Sequence, residues 1–312
     1  MDEYVCTLSD ELKKIAANEL RETEKIRAHG IKALRDWVME NPRIIRCRLD
    51  STYLLKSLRF RKYSIPLSQE AMERHLLFRE GLYGYDFFSN LDPLKPYVFE
   101  MLERGLITVF PKRDEHKRLT IYIRWALADP AIPNMGNVFM SLLSLFMENL
   151  MDDEENQIRG LNYILDLSGA NLKQVLIFPI DMWYKLGKHA EKSCLVRHKA
   201  FHFLNVHPSI MFLVKFFMKH MSEKLRNRVK LYSTNLADSG IIPMDNLPIE
   251  YGGTIPLKTI IGMHSKGSFA NYVTLKIPIF NPLPLVTNVV RKSEKFNMKR
   301  NKSLEPSSPP PP

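Results

Sequence analysis

Apolar positions recur at helical spacing from residue 8 to residue 80. Leu12, Ile15 and Ala16 begin one face, and Ile26, Leu34, Trp37 and Val38 mark a second that stops near Asn41-Pro42. Asp50 and Ser51 cap the next segment, STYLLKSLRFRKYSI. Its Leu54, Leu55 and Leu58 point inward, and Lys56, Arg59, Arg61 and Lys62 are expected in solvent. These segments predict a small helical bundle over 8–84. Between 81 and 118 the pattern weakens, and the turn-rich GLYGYDFFSNLDPLKPY sets a domain boundary near residue 85.

The period then changes. LTIYIRWAL alternates Ile121, Ile123 and Trp125 against Tyr122 and Arg124, as a strand does. A helix opened by Asn134 or Gly136 runs through Met151, with Phe139, Leu142, Leu143, Phe146 and Leu150 at helical spacing. LNYILDLSG reads as a second strand. The segment from Asn171 to His189 is helical with a break at Pro179, and 196–205 is a buried strand. Strands alternating with helices predict an α/β layer whose sheet is covered by helices.

The segment after Pro208 departs from ordinary amphipathicity. SIMFLVKFFMKHM is apolar over most of its helical circumference, with a narrow polar strip at Lys215, Lys219 and His220. Cations flank it: Arg197 and Lys199 precede it, while Lys224 and Arg228 follow Ser222, a helix cap. Such a helix is either a core helix with charged ends or a lid that covers an apolar cavity and turns its outer face to a membrane.

Composition narrows the choice. The 312 residues are 45% hydrophobic, enough for a sizeable core, and the formal net charge of +11 points to an acidic partner. An anionic membrane fits better than nucleic acid, because the basic residues accompany an apolar helix and no zinc-finger or RNP-type motif is present. Three widely spaced cysteines, Cys6, Cys47 and Cys194, suit a reducing compartment. The N-terminus lacks the pattern of a secretory signal, and no apolar stretch approaches the ~20 residues that span a bilayer. The expected location is cytoplasmic, with reversible attachment to endosomal or other phosphoinositide-bearing membranes.

LLKSLRFRKYS from Leu54, ILDLSG from Ile164, AFHFLN from Ala200, SEKLRNRV from Ser222 and LPIEYGG from Leu247 together resemble the CRAL-TRIO lipid-binding family. The resemblance extends over residues 10–255 and is close to the tocopherol- and retinoid-carrying members. It implies an N-terminal helical domain (8–84), a lipid-binding α/β domain with a mixed sheet (85–255), and a C-terminal extension (256–312) ending in a disordered proline-rich stretch. It also implies that 209–221 is a mobile gate, carrying Ile210, Phe212, Leu213, Phe216, Phe217 and Met221. The family's phosphoinositide-binding cations match Arg197, Lys199, Lys224 and Arg228; Arg61 matches a further cation of that face or is an interdomain salt-bridge partner. The positions matching the family's cavity lining are Met140, Leu143, Met147, Leu161, Leu165, Leu172, Leu176, Phe178, Leu186, Val196 and Phe201. Tocopherol carriers have serines where Leu143 and Met147 stand, which weighs against tocopherol, while His189 offers a polar contact on the same stretch. Pro208 falls three residues after Asn205 where the family has two, and Lys219 replaces a later proline of the gate.

Catalytic chemistry is not expected. The chain has no GxSxG elbow, P-loop or dinucleotide fingerprint, and Asp166 falls in a turn that is structural in the family. His198, His202, His207 and His220 have no Cys or carboxylate at a familiar ligand spacing, so neither a metal nor a cofactor is expected. In LPIEYGG, Gly252, Gly253 and Pro248 read as architecture. The basic run Arg291, Lys292, Lys295, Lys299 and Arg300 adds either membrane attraction or mere solubility. The function expected is a carrier of a small hydrophobic molecule, tocopherol-like or retinoid-like, exchanging it at phosphoinositide membranes. Alternatives are a phospholipid exchanger on the same fold and a non-transporting interaction scaffold.

Overall fold

The computed structural model describes residues 4–44, 47–79, 93 and 95–263. Three of the N-terminal helices start on a side-chain cap. Ser9 caps α1 (Asp10–Ile15), Thr23 caps α2 (Glu24–Glu40) and Asp50 caps α3 (Ser51–Phe60); α4 (Ile65–Arg79) follows. Ile31, Leu34 and Val38 of α2, Leu54, Leu55 and Leu58 of α3, and Met72 and Leu76 of α4 form one apolar core.

Two of the four cations expected in solvent on α3 are buried instead. Arg59 is 0% exposed and Lys56 4% exposed. The reason is that α3 is covered on both sides, by the bundle and by α7 (Glu154–Arg159) of the following domain. Arg59 donates from Nε and Nη2 to the Glu22 carboxylate at 2.9 and 2.8 Å, and from Nη1 to Gln157 Oε1 at 2.9 Å. Its Nη2 also lies 2.8 Å from Glu154. Burial opposes ionisation of Glu22, but Arg59 prevails and holds its carboxyl below the usual range. A guanidinium with five fixed donors suits a site where several acceptors converge from distant parts of the chain.

Beyond the bundle come α5 (Pro96–Glu103), β1 (Ile107–Val109), β2 (Leu119–Arg124), α6 (Met135–Leu150), α7, β3 (Leu161–Asp166), α8 (Leu172–Val175) and α9 (Ile180–Lys192). They are followed by β4 (His198–Leu204), α10 (Pro208–Lys219), α11 (Glu223–Arg226), β5 (Val229–Leu231) and α12 (Leu257–Gly262). The architecture is α/β, with a mixed sheet in strand order β1-β2-β3-β4-β5. β1 is antiparallel to β2, and the remaining pairs are parallel. The strands are apolar on both sides, as a sheet with two covered faces requires. Ile121, Ile123, Tyr163, Leu165, Phe201 and Phe203 belong with the helices of the main core. Tyr122, Ile164 and Leu204 face the other way, against Leu236, Ile242, Leu247 and Ile260 of the closing segment. On that face Asp166 has both oxygens engaged: it accepts from Tyr122 Oη at 2.8 Å, Asn205 Nδ2 at 2.8 Å and Ser168 N at 2.9 Å.

The domain boundary expected near residue 85 lies outside the described residues, as does the basic proline-rich tail. Described structure continues past residue 255, where the C-terminal extension was expected to begin: α12 packs on α5 and β1. Within LPIEYGG, Gly252 has φ +83°, and a Cβ on Gly253 would stand 2.0 Å from the Leu247 carbonyl oxygen. Both positions therefore need glycine.

Replacing Arg59 with Ala leaves buried Glu22 with only Arg27, at 3.3 Å, and takes the cation from half-buried Glu154. The expected loss is about 3–5 kcal/mol of unfolding free energy, read by urea denaturation. A loss below about 1 kcal/mol would show that the ion pair does not join the two parts.

Candidate functional site: an apolar cavity beside a cationic face

Between the sheet and helices α6, α9 and α10 lies a cavity of about 740 Å³. Eight of the positions anticipated for its lining stand on its wall: Met140, Leu143 and Met147 of α6, Leu165 of β3, Phe178, Leu186 of α9, Val196, and Phe201 of β4. Three do not. Leu161 is buried at the start of β3, while Leu172 and Leu176 are 51% and 58% exposed on the outside of the molecule. The short helix α8 turns these two leucines away from the cavity, and a motif match carries no information about which way a short helix faces.

The wall is not greasy throughout. The helical bundle contributes Tyr53 and Lys56 from α3 and His75 from α4, and α6 adds Ser144 and Glu148. Ser144 and Glu148 are four residues apart, a polar pair on one face of an otherwise apolar helix, and so were visible in the sequence. His75 left no such signal. His189 stands on the wall as well, its Nδ1 2.6 Å from Ser193 Oγ. Burial, with His75 and His198 nearby, pushes its pKa well below the ordinary value, so the ring is neutral.

A register irregularity between β3 and β4 shapes the far wall. It lets His198 line the cavity beside Phe201 and Phe203, where strict alternation would have put residue 199. His198 Nδ1 meets Tyr163 Oη at 2.8 Å, and Lys199 reaches outward to Glu19 at 3.2 Å. The neighbouring Gly160 has φ +78°, and a Cβ there would meet the Arg197 carbonyl oxygen at 2.2 Å, so β4 enters the sheet over a glycine.

The segment expected to gate the cavity is α10 with the residues after it. Ile210 is buried in the main core and Leu213 packs against it, fixing the inner face. Phe212 and Phe216 are 63% and 43% exposed, and share the outer face with Lys215 and Lys219. Phe216, His220 and Met221 also line the cavity. His220 stands edge-on to Phe216 at 5.0 Å and to Tyr184 of α9 at 6.0 Å. The side chain of Phe217 lies outside the described residues. Exposed Leu172 and Leu176 lie on and next to α8, which touches α10.

The cations converge where α11 follows the C-terminal end of α10. Partial desolvation, followed by Arg228, Lys62, Arg197 and Arg61, lowers the pKa of Lys224. Desolvation and then Arg197 do the same to Arg228, whose Nη1 donates to the His198 carbonyl. Lys199 is pushed down to about 8 by burial and by Arg197, despite Glu19. Arg61 donates to the Lys192 carbonyl at 2.8 Å. Arg197 pairs with Glu19 at 2.6 Å. The five anticipated cations therefore form one neighbourhood, joined by Lys62, which the motif comparison had not singled out.

This arrangement, a helix-covered mixed sheet with an apolar cavity under α10, has relatives. Residues 103–253 match the model of the CRAL/TRIO domain. The chain carries a CRAL/TRIO domain. Alpha-tocopherol transfer protein-like of Mus musculus is 29% identical over 259 residues, covering 80% of this chain and 72% of that protein. Clavesin-1 of Xenopus laevis is 27% identical over 239 residues, covering 76% and 71%. The solved structure of Sfh5 aligns over 96% of this chain and 99% of its own at 12% identity, with a TM-score of 0.47.

Among the described residues of this CRAL/TRIO protein no helix is long and apolar enough to cross a membrane. None of the described His, Cys, Asp and Glu residues form a group of three or more able to hold a metal ion.

Burial lowers the pKa of His198 from 6.5 to about 4, and of His202, stacked on Tyr232, also to about 4. A folded-state pKa below the unfolded one means that the unfolded chain takes up the proton first. The associated stability is complete above pH 6.5 and is lost as pH falls from 6.5 toward about 4, at up to about 1.4 kcal/mol per pH unit for each proton. The melting temperature is thus expected to drop across that window, and to drop less steeply in His198→Asn. An unchanged slope in that variant would remove His198 from the account.

Proposed function

We propose that the protein carries a small hydrophobic molecule in the cavity and exchanges it at membranes bearing phosphoinositides. The observation that carries this reading is the adjacency of three features. An apolar cavity lies beneath α10, exposed Phe212 and Phe216 lie on the outer face of that helix, and the cations Arg61, Lys62, Arg197, Lys199, Lys224 and Arg228 stand beside it. The names of the relatives support the ligand class. The cavity itself speaks for a carrier rather than an interaction scaffold, which would fill the same space with side chains.

In this mechanism Leu172, Leu176, Phe212 and Phe216 enter the interfacial region of the bilayer while lysines on the same face remain at the headgroups. Arginine and lysine hold headgroup phosphates through charge-assisted hydrogen bonds. Outward movement of α10 then opens the cavity where its apolar residues exchange protein contacts for lipid. Each fully buried side chain of this kind is worth roughly 1.5–3 kcal/mol, so opening is favourable at a membrane and unfavourable in water. The anionic surface biases the equilibrium toward the open form because it binds that form better. The reading assigns no catalytic role, and treats 8–84 and 85–255 as the helical and ligand-binding domains.

Lys224→Glu/Arg228→Glu is expected to reduce ligand transfer to phosphatidylinositol bisphosphate vesicles by about tenfold or more, as loss of two headgroup contacts worth about 1 kcal/mol each implies. Uptake of the same ligand in solution stays unchanged. Parallel loss of uptake and transfer would show a folding defect, and unchanged transfer would remove the cations from the mechanism.

A further inference from the structure

We propose that Glu19 is a resident anion of the cationic face: its carboxylate occupies the phosphate site of Arg197 and Lys199 in the free protein, and a membrane phosphate must displace it. This rests on the phosphoinositide reading of that face. The carboxylate belongs to the N-terminal segment rather than to β4 and its approach, which carry its partners. Leu8, Leu12, Ala16 and Leu20 are buried at intervals of four along α1, the residues before it and the π-helical turn, Ala16–Leu20, that continues it. Glu11, Ile15 and Glu19 form the adjoining row. Glu11 pairs with Lys117 and Arg159 at 2.6 and 3.0 Å. Two turns further on, Glu19 Oε2 lies 2.6 Å from Arg197 Nη2 and 3.2 Å from Lys199 Nζ.

The surroundings make this carboxylate free to leave. The Glu19 side chain is 46% exposed, whereas those of Arg197 and Lys199 are 14% and 17% exposed. Its backbone is held on both sides without it, since Leu20 packs with Ile158 and Glu22 is bound by Arg59. Arg197 keeps its place through a second bond, from Nη1 to the Ile158 carbonyl. The side chain can therefore swing out while the segment and the guanidinium stay. Burial opposes ionisation of Glu19, but Arg197 and Lys199 prevail and hold its carboxyl below the usual range. Burial and then neighbouring cations, Arg197 among them, lower the pKa of Lys224 and Arg228, so an anion at Arg197 is felt across the face. A lipid phosphodiester brings one negative charge to the site, the same as the carboxylate it replaces, and gains little there. A phosphomonoester brings about −1.5 to −2 charges at pH 7 and three acceptor oxygens. Glu19 thus adds the same cost to every anionic lipid, and lipids with phosphomonoester groups exceed it.

The test is vesicle flotation of the full chain at physiological salt, on phosphatidylcholine vesicles carrying phosphatidylinositol bisphosphate or phosphatidylserine, matched in total charge. The wild-type chain is expected to bind the first about tenfold more tightly than the second. Glu19→Gln, checked for folding by its thermal melt, is expected to tighten binding to both by about fivefold, the worth of one more engaged cation. Glu11→Gln removes the same charge from the same row and is expected to change binding by less than about twofold. In a chain carrying Arg197→Gln and Lys199→Gln, adding Glu19→Gln is expected to change nothing. An unchanged or weakened affinity in Glu19→Gln, an equal gain in Glu11→Gln, or the full gain without Arg197 and Lys199 overturns the inference and leaves the phosphoinositide reading intact. Soluble inositol trisphosphate bound as tightly as the vesicles overturns the assignment to a membrane phosphate. A wild-type chain that binds the two vesicles alike, or neither, removes the phosphoinositide reading itself.

Discussion

A cavity of about 740 Å³ lined by Leu, Met and Phe is the constraint on which the rest of this structure depends. Apolar side chains around such a space forgo dispersion contacts that a close-packed interior would give them, and a flexible shell would collapse to recover them. The shell is therefore braced from outside. The sheet supplies one rigid wall, held on its far face by Tyr122, Asp166 and Asn205 and by the closing segment. The helical bundle supplies another, fixed to α7 through Arg59. Among the described residues only α10 combines an inner face in the core with an outer face of exposed phenylalanines. It is the part of the wall whose apolar surface is already shared between the two sides.

The cationic face follows the same logic. Arg61 comes from the bundle, Arg197 and Lys199 from the approach to β4, and Lys224 and Arg228 from either end of α11. Burial first, and their mutual repulsion after it, lower the pKa values of Lys199, Lys224 and Arg228, a cost of the free protein. Glu19 offsets part of it by pairing with Arg197 and Lys199. Under the carrier reading a phosphate-rich surface supplies the missing anions.

Much of the fold was legible in the sequence because its signals are local. Period-2 and period-3.6 patterning located β2, β3, β4, α6 and α10, and Asp50 and Ser222 cap the helices they were expected to cap. What stayed hidden depends on contacts between distant segments. Arg59 and Lys56 look like ordinary surface cations until α7 and Asp152 are packed against α3. Leu172 and Leu176 follow the pattern of cavity residues, yet a single turn of helix turns them outward. The polar groups that the bundle brings to the cavity were the least visible, since Tyr53, Lys56 and His75 reach its wall only when the bundle packs on the sheet and its helices. His198 owes its place to a register irregularity that no periodicity announces.

The most direct measurement is native mass spectrometry of the protein recovered from its own cells without added lipid, followed by organic extraction. The account predicts a stoichiometric apolar molecule that leaves with the cavity's contents and can be identified by mass. A bare chain that stays bare after incubation with a total cellular lipid extract would contradict it.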